Sequence, residues 1–114
     1  MKLSEAIRVG ALLRPPTLRR FFGVDLKTGR WCSCALGAAY EGVVGPCVEG
    51  STLDENTVQR ELFRQFPMLA TVVAYPPMLE PDWEGTVYEV VTALNDSFWW
   101  TREQIADWLA SIGY

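Results

Sequence analysis

Ser33-Cys-Ala-Leu-Gly-Ala-Ala-Tyr-Glu-Gly-Val-Val-Gly45 is the stretch whose reading decides the fold class. Ser33 can cap the free N–H groups at a helix start. Leu36, Ala39, Tyr40 and Val43 then recur on one side of a helix, while Gly37, Ala38 and Ala39 keep its surface low. Glycine costs a helix about 1 kcal/mol relative to alanine. A helix that accepts both Gly37 and Gly42 is expected to gain close approach to a neighbour, so this one is placed at the centre of the fold, with Gly37 against another helix. Gly45-Pro46 ends it.

Upstream, Leu3 to about Leu13 reads as a helix with Ser4 as its cap and Leu3, Ile7, Ala11, Val9 and Leu12 as its stripe. Pro15-Pro16 stops it. In DLKTGR (25–30), Gly29 is free to take positive φ, and the flanking Phe22, Val24, Trp31 and Cys32 favour strand, which suggests a small β-ribbon near residues 22–32. Downstream, Asp54 or Ser51 caps a helix from Glu55 to Phe66 carrying Val58, Leu62, Phe63 and Phe66. Pro67 breaks it. Met68 to Tyr75 fits a short helix or an extended chain equally well. Asp82 is read as the cap of a further helix with the stripe Trp83, Val87, Val90, Val91 and Leu94, ended by Asn95-Asp96. Thr101 and Gln104 form a capping box for the last helix, whose Ile105, Trp108, Leu109 and Ile112 face inward. The fold class is therefore mainly α: a single domain over residues 1–114, an irregular bundle of four or five short helices with a small ribbon.

Composition excludes several functions. A chain of 114 residues with 49% hydrophobic content can bury a core without metal or disulfide, and it is not disordered. Ten basic against 14 acidic residues, a net −4, argue against nonspecific nucleic-acid binding. Arg14, Arg19, Arg20, Lys27 and Arg30 cluster in one third of the chain and read as a solvated charged edge. Glu5 and Arg8 interrupt any secretory signal, and no apolar run approaches the ~18 residues of a membrane span. Three cysteines, an odd number, suit free thiols in the cytoplasm.

Chemistry-bearing residues are few. The chain has no histidine, which removes the common nucleophile pairs and the usual general base near neutral pH. Asp54-Glu55 and Glu80 with Asp82 and Glu84 suit helix N-termini, where acids favour the macrodipole. Glu103 and Asp107 are a further close pair. Cys32, Cys34 and Cys47 depart from zinc spacing and read as buried small hydrophobes. No metal or cofactor is expected. Phe98-Trp99-Trp100 cannot all face one core, so they form either a plug between the last two helices or an interface or ligand groove. Asn95, Asp96, Thr101 and Gln104 are read as a structural corner, with Asp96 accepting backbone N–H bonds in the turn.

Cys34-Ala-Leu-Gly-Ala-Ala39, Leu94-Asn-Asp96 and Trp100-Thr-Arg-Glu-Gln-Ile-Ala-Asp-Trp-Leu109, with the opening KLSEAIRVGALL, resemble a family of short uncharacterised bacterial and phage proteins. The resemblance implies a phage, integron or other mobile-element origin and no particular activity. Similar proteins often carry Cys-x-x-Cys before the penultimate helix and histidine after Leu-Asn-Asp, which would suit zinc. Here YPPMLEPDW has no cysteine and Ser97-Phe98-Trp99 no histidine. TREQIADWL also echoes the first helix of a helix-turn-helix unit, but the second helix is missing and DNA binding is not expected. The functional expectation is a non-enzymatic interaction module, working on a protein partner or as a homodimer. The alternative is a helical domain with an aromatic-lined small-molecule pocket reached past Asp96, and an enzyme using carboxylates or a reactive cysteine ranks last.

Overall fold

The computed structural model describes residues 1–51, 53–77 and 84–114. In chain order the elements are α1 (Leu3–Ala11), β1 (Phe22–Val24), β2 (Trp31–Ser33), α2 (Ala35–Val44), α3 (Glu55–Gln65), α4 (Met68–Thr71), β3 (Val73–Ala74), β4 (Gly85–Thr86), α5 (Val87–Asp96) and α6 (Arg102–Ser111). The fold is mainly helical with two antiparallel two-stranded ribbons, and the described residues hold six helices where four or five were expected. The β1–β2 ribbon falls where the turn residues place it. Phe22 pairs with Ser33, Gly29 has φ 71°, and the Asp25 carboxylate accepts the Lys27 N–H. The β3–β4 ribbon, Val73 against Thr86, was not anticipated.

α2 lies at the centre, with every residue from Ala35 to Glu41 buried. Its tightest neighbour is α1, and glycine permits the approach from both sides. A Cβ on Gly10 would overlap the Ala38 carbonyl, and one on Gly42 would overlap the Ala6 carbonyl. Gly37 also has no space for a side chain. What fills that space is the backbone carbonyl of Phe21, just before β1, and not another helix. Around this crossing Leu3, Ile7, Val58, Leu62, Leu69, Val87, Val90, Val91, Leu94, Ile105 and Leu109 form one buried cluster. Each such side chain contributes about 1.5–3 kcal/mol through removal from water.

Several local expectations change. α1 starts at Leu3, so Ser4 is not its cap. Ser4 is buried, and both its N–H and its hydroxyl donate to the Tyr114 carbonyl. The buried face of α1 is Leu3, Ala6, Ile7 and Gly10, while Leu12 lies beyond the helix end, 87% exposed, and Val9 is also exposed. The cap of α2 is Cys34, whose sulfur accepts the Gly37 N–H, and Ser33 is the last residue of β2. The stretch from Met68 to Tyr75 is both things the pattern allowed, a helical turn and then a strand. Asp82, Trp83 and Glu80 lie outside the described residues. α5 begins at Val87 under a capping box made by Thr86 and Glu89. Ile112 is exposed, whereas Trp108 packs against the core.

Among the described residues two charged side chains are buried. Glu41, 2% exposed, accepts two bonds from the Arg14 guanidinium, at 2.7 and 2.9 Å, and one from the Cys47 N–H at 2.8 Å. Arg14 also reaches the Cys47 carbonyl and Glu49 and lies over the Trp31 ring. Arg14 is therefore no part of a solvated edge; it ties the end of the first helical segment to the loop after α2. Such a pair holds because all three guanidinium nitrogens and both carboxylate oxygens find partners, not because burying charge is favourable in itself.

Two measurements test this packing. Gly42→Ala is expected to lower unfolding stability by about 1–3 kcal/mol through overpacking against Ala6; a gain of stability, as in a free helix, would refute the close approach. Glu41→Ala is expected to cost about 3–5 kcal/mol, and Arg14→Met with Glu41→Leu to recover most of it. Equal losses in the single and double variants would mean that the ion pair does not carry the cost.

Candidate functional site: a pocket and an aromatic ledge at the end of the fifth helix

The C-terminal end of α5 is built on Asn95, which is 4% exposed. Its Oδ1 accepts the N–H of Ala35 at 3.1 Å, and its Nδ2 donates to the Thr17 carbonyl at 3.2 Å and to Asp96 Oδ1 at 2.8 Å. Asp96 Oδ1 also accepts the Arg19 N–H at 2.8 Å. One amide side chain thus joins α5, the start of α2 and the segment before β1. Asn95 and Asp96 are the last two residues of α5, as expected, but both are helical and neither takes the left-handed conformation. Asp96 does accept a backbone N–H, from Arg19 far away in the chain and not from its own turn. Arg19 meets it in left-handed backbone, φ 67°.

The next residues turn sharply. The Phe98 N–H bonds the Ala93 carbonyl and the Trp100 N–H bonds the Leu94 carbonyl, with Trp99 between them at φ 56°. Thr101 then caps α6, in a capping box with Gln104 as the residue types foretold. The aromatic triplet splits. Trp100 packs against the core, while Phe98 is 45% and Trp99 75% exposed. Leu18 is exposed too, and its neighbours Thr17 and Arg19 are both bonded to the end of α5, so it shares this end of the molecule.

Arg102, the first residue of α6, is a positioning residue that pattern reading missed. Its guanidinium donates to the Ser33 hydroxyl at 3.0 Å and to the carbonyls of Arg14 at 2.7 Å and Ala11 at 3.4 Å. Burial lowers its pKa, against the opposing pull of Cys34 and Cys32. The sole sequence signal was an arginine in the first turn of a helix, where the macrodipole disfavours it.

Beside Asn95 a cavity of about 120 Å³ opens between the start of α2 and α5. Phe21, Leu36 and Val91 give it apolar walls; Cys34, Tyr88, Thr92, Glu55 and Asp96 bring polar groups to it, and Arg19 and Arg20 stand on it as well. It is smaller than the roughly 300–1,000 Å³ of sites for drug-sized ligands. Burial pushes the Cys34 thiol up to about 11, so it stays protonated near neutral pH. All three cysteines are free thiols, Cys32 and Cys34 buried and Cys47 partly so. Among the described residues no group of three or more cysteine and acidic side chains is placed to hold a metal ion, and no helix is long and apolar enough to cross a membrane.

No protein-family model matches the chain, and no curated protein or solved structure matches it either.

The corner gives a direct test. Asp96→Ala leaves the Arg19 N–H and one Asn95 donor without their acceptor and is expected to cost about 1–3 kcal/mol. Thr101→Ala is expected to cost about 1 kcal/mol as a lost cap. An Asp96→Ala protein that melts at or above the wild-type temperature would mean that Asp96 is kept for function at the expense of stability.

Proposed function

We propose that this chain is a non-enzymatic interaction module whose working surface is the ledge of Phe98 and Trp99, docked on a second copy of the same chain. The observation that supports this is Trp99 itself. It occupies left-handed backbone, a strain of about 1–3 kcal/mol for a non-glycine residue, and leaves an indole 75% exposed. Glycine or asparagine closes helix ends of this kind without strain. A tryptophan in such a place is explained by what it touches outside its own fold, and tryptophan is among the side chains that dominate binding energies at interfaces.

The surroundings suit self-association. Arg19, Arg20 and Glu55 lie close together and make no ion pair among the described residues. A patch that carries both signs beside exposed apolar groups can complement itself across a two-fold axis, as a homodimer interface must. The resemblance to short bacterial and phage proteins supports a setting on a mobile genetic element. The free thiols suit the reducing cytoplasm.

Sedimentation velocity over a concentration series tests the reading. The wild type is expected to dimerise. Trp99→Gly is expected to remain monomeric and to unfold at higher temperature, with stability raised by about 1 kcal/mol as the left-handed strain is relieved. A wild type that stays monomeric at every concentration would overturn the proposal, as would a Trp99→Gly variant that dimerises unchanged.

A further inference from the structure

The β3–β4 ribbon leaves the outer edge of β3 open, on a surface distinct from the ledge. We propose that this edge takes up an extended, apolar segment of a partner protein as an added strand, laid between β3 and the end of α6.

The main chain of β3 gives the direction. The Val87 N–H donates to the Val72 carbonyl at 2.9 Å, so the polar groups of Val72 point toward the β4 side. Hydrogen-bonded and non-hydrogen-bonded positions alternate along an antiparallel pair. Val73, opposite Thr86, is therefore a position whose N–H and carbonyl point away from β4. Neither group has a hydrogen-bond partner among the described residues. The edge is also unguarded. Sheet edges usually carry lysine, proline or an inward charge that discourages a further strand. β3 is Val73-Ala74, and Val73 is 57% exposed. Pro76-Pro77 follows Tyr75 and cannot donate, which limits an added strand to the span of residues 72–75.

A groove of about 370 Å³ lies along that edge, with residues 72–75 on one side and Trp108 and Ile112 on the other. Val72 and Ala74 pack toward the core, while Val73 and Tyr75 are exposed. A groove touched by all four follows the edge of the strand rather than either of its faces. No charged side chain lines it, so it suits apolar side chains. The open donor and acceptor of Val73 then decide the form of the guest. A small apolar molecule covers both groups and leaves them unpaired, at a cost comparable to a lost hydrogen bond. A helix keeps its main-chain groups to itself. An extended chain satisfies both groups and sets alternate side chains against Trp108 and Ile112.

Two-dimensional NMR tests the edge. The probe is the blocked peptide acetyl-Thr-Val-Ile-Val-Thr-amide. The controls are the same peptide N-methylated at its apolar residues, and indole as a small apolar molecule. The free peptide is expected to move the Val73 amide proton downfield, to slow its exchange with water and to shift the Trp108 indole signal, all saturably. The N-methylated peptide is expected to bind about tenfold more weakly, because the main-chain bonds are lost. Val73→Pro removes the donor at a place proline tolerates, since the preceding Val72 is already extended at φ −93° and ψ 127°. It is expected to weaken binding about tenfold, read from Trp108. Ile112→Glu alters an exposed side chain, so it should fold, and it is expected to abolish binding by placing a charge in the groove. Equal binding of the two peptides, indole binding in preference to the free peptide, or no saturable shift would overturn the proposal. So would a Val73 amide that is protected before peptide is added and loses protection on dilution, because a second copy would then cover the edge. The edge does not rest on the ledge: the series run on Trp99→Gly is expected to give the same result whether or not the wild type dimerises.

Discussion

The structure depends on the crossing of α1 and α2 at backbone distance. Gly10 and Gly42 each leave room for a carbonyl of the other helix. Two helices with side chains at those positions would stand further apart, at the ordinary 8–10 Å. The close crossing sets where each helix ends, and the ends carry the remaining architecture. Arg14, just past α1, falls within reach of Glu41 near the end of α2. Ala35, at the start of α2, falls within reach of Asn95. Glycine's low helix propensity is the cost of this arrangement, and the buried cluster around α2 offsets it.

On that base, polar side chains do the joining that a longer chain would do with more core. Arg102 ties α6 to the end of α1, to the segment after it and to β2, through the carbonyls of Ala11 and Arg14 and the hydroxyl of Ser33. Asn95 joins three segments with one amide. Among the described residues two non-glycines take left-handed backbone: Arg19, whose N–H Asp96 accepts, and Trp99, three residues past Asp96 in the chain. Backbone strain persists where the surroundings over-determine it. The bond to Asp96 accounts for Arg19. The fold supplies no comparable reason for a tryptophan at 99, and that asymmetry is what sets the ledge apart from the corner beneath it.

Features with local causes were legible in the residues. Thr101 with Gln104 announces a capping box at a spacing of three, and Asp25 to Arg30 announces a tight turn. Gly37 and Gly42 announced close approach, although the partner of Gly37 is a strand-flanking carbonyl, and a helix surface alone cannot say what fills its groove. Thr86 with Glu89 carries the same capping signature as Thr101 with Gln104, and it is this pair that starts α5. What stayed hidden has distant causes. Glu41 meets Arg14 across 27 residues, and Asn95 meets Ala35 across 60. A lone charge in the apolar run of α2 was the trace of the first, and its burial could not be told from a solvated position. The β3–β4 ribbon pairs two residues with two, too short for any alternation to show. For the aromatic triplet, residue types required a division between core and surface but could not assign it, because that depends on the left-handed turn at Trp99.

The central claim is that the strained, exposed tryptophan is held ready for an outside surface by a rigid corner. The chain has five tryptophans, and their indole N–H signals can be followed one by one in protein labelled with nitrogen-15. Dilution from high to low concentration should move the Trp99 signal, while those of Trp31, Trp100 and Trp108, packed in the fold, stay in place. A Trp99 signal that does not move with concentration while another tryptophan's does, or five signals that never move, would contradict the account.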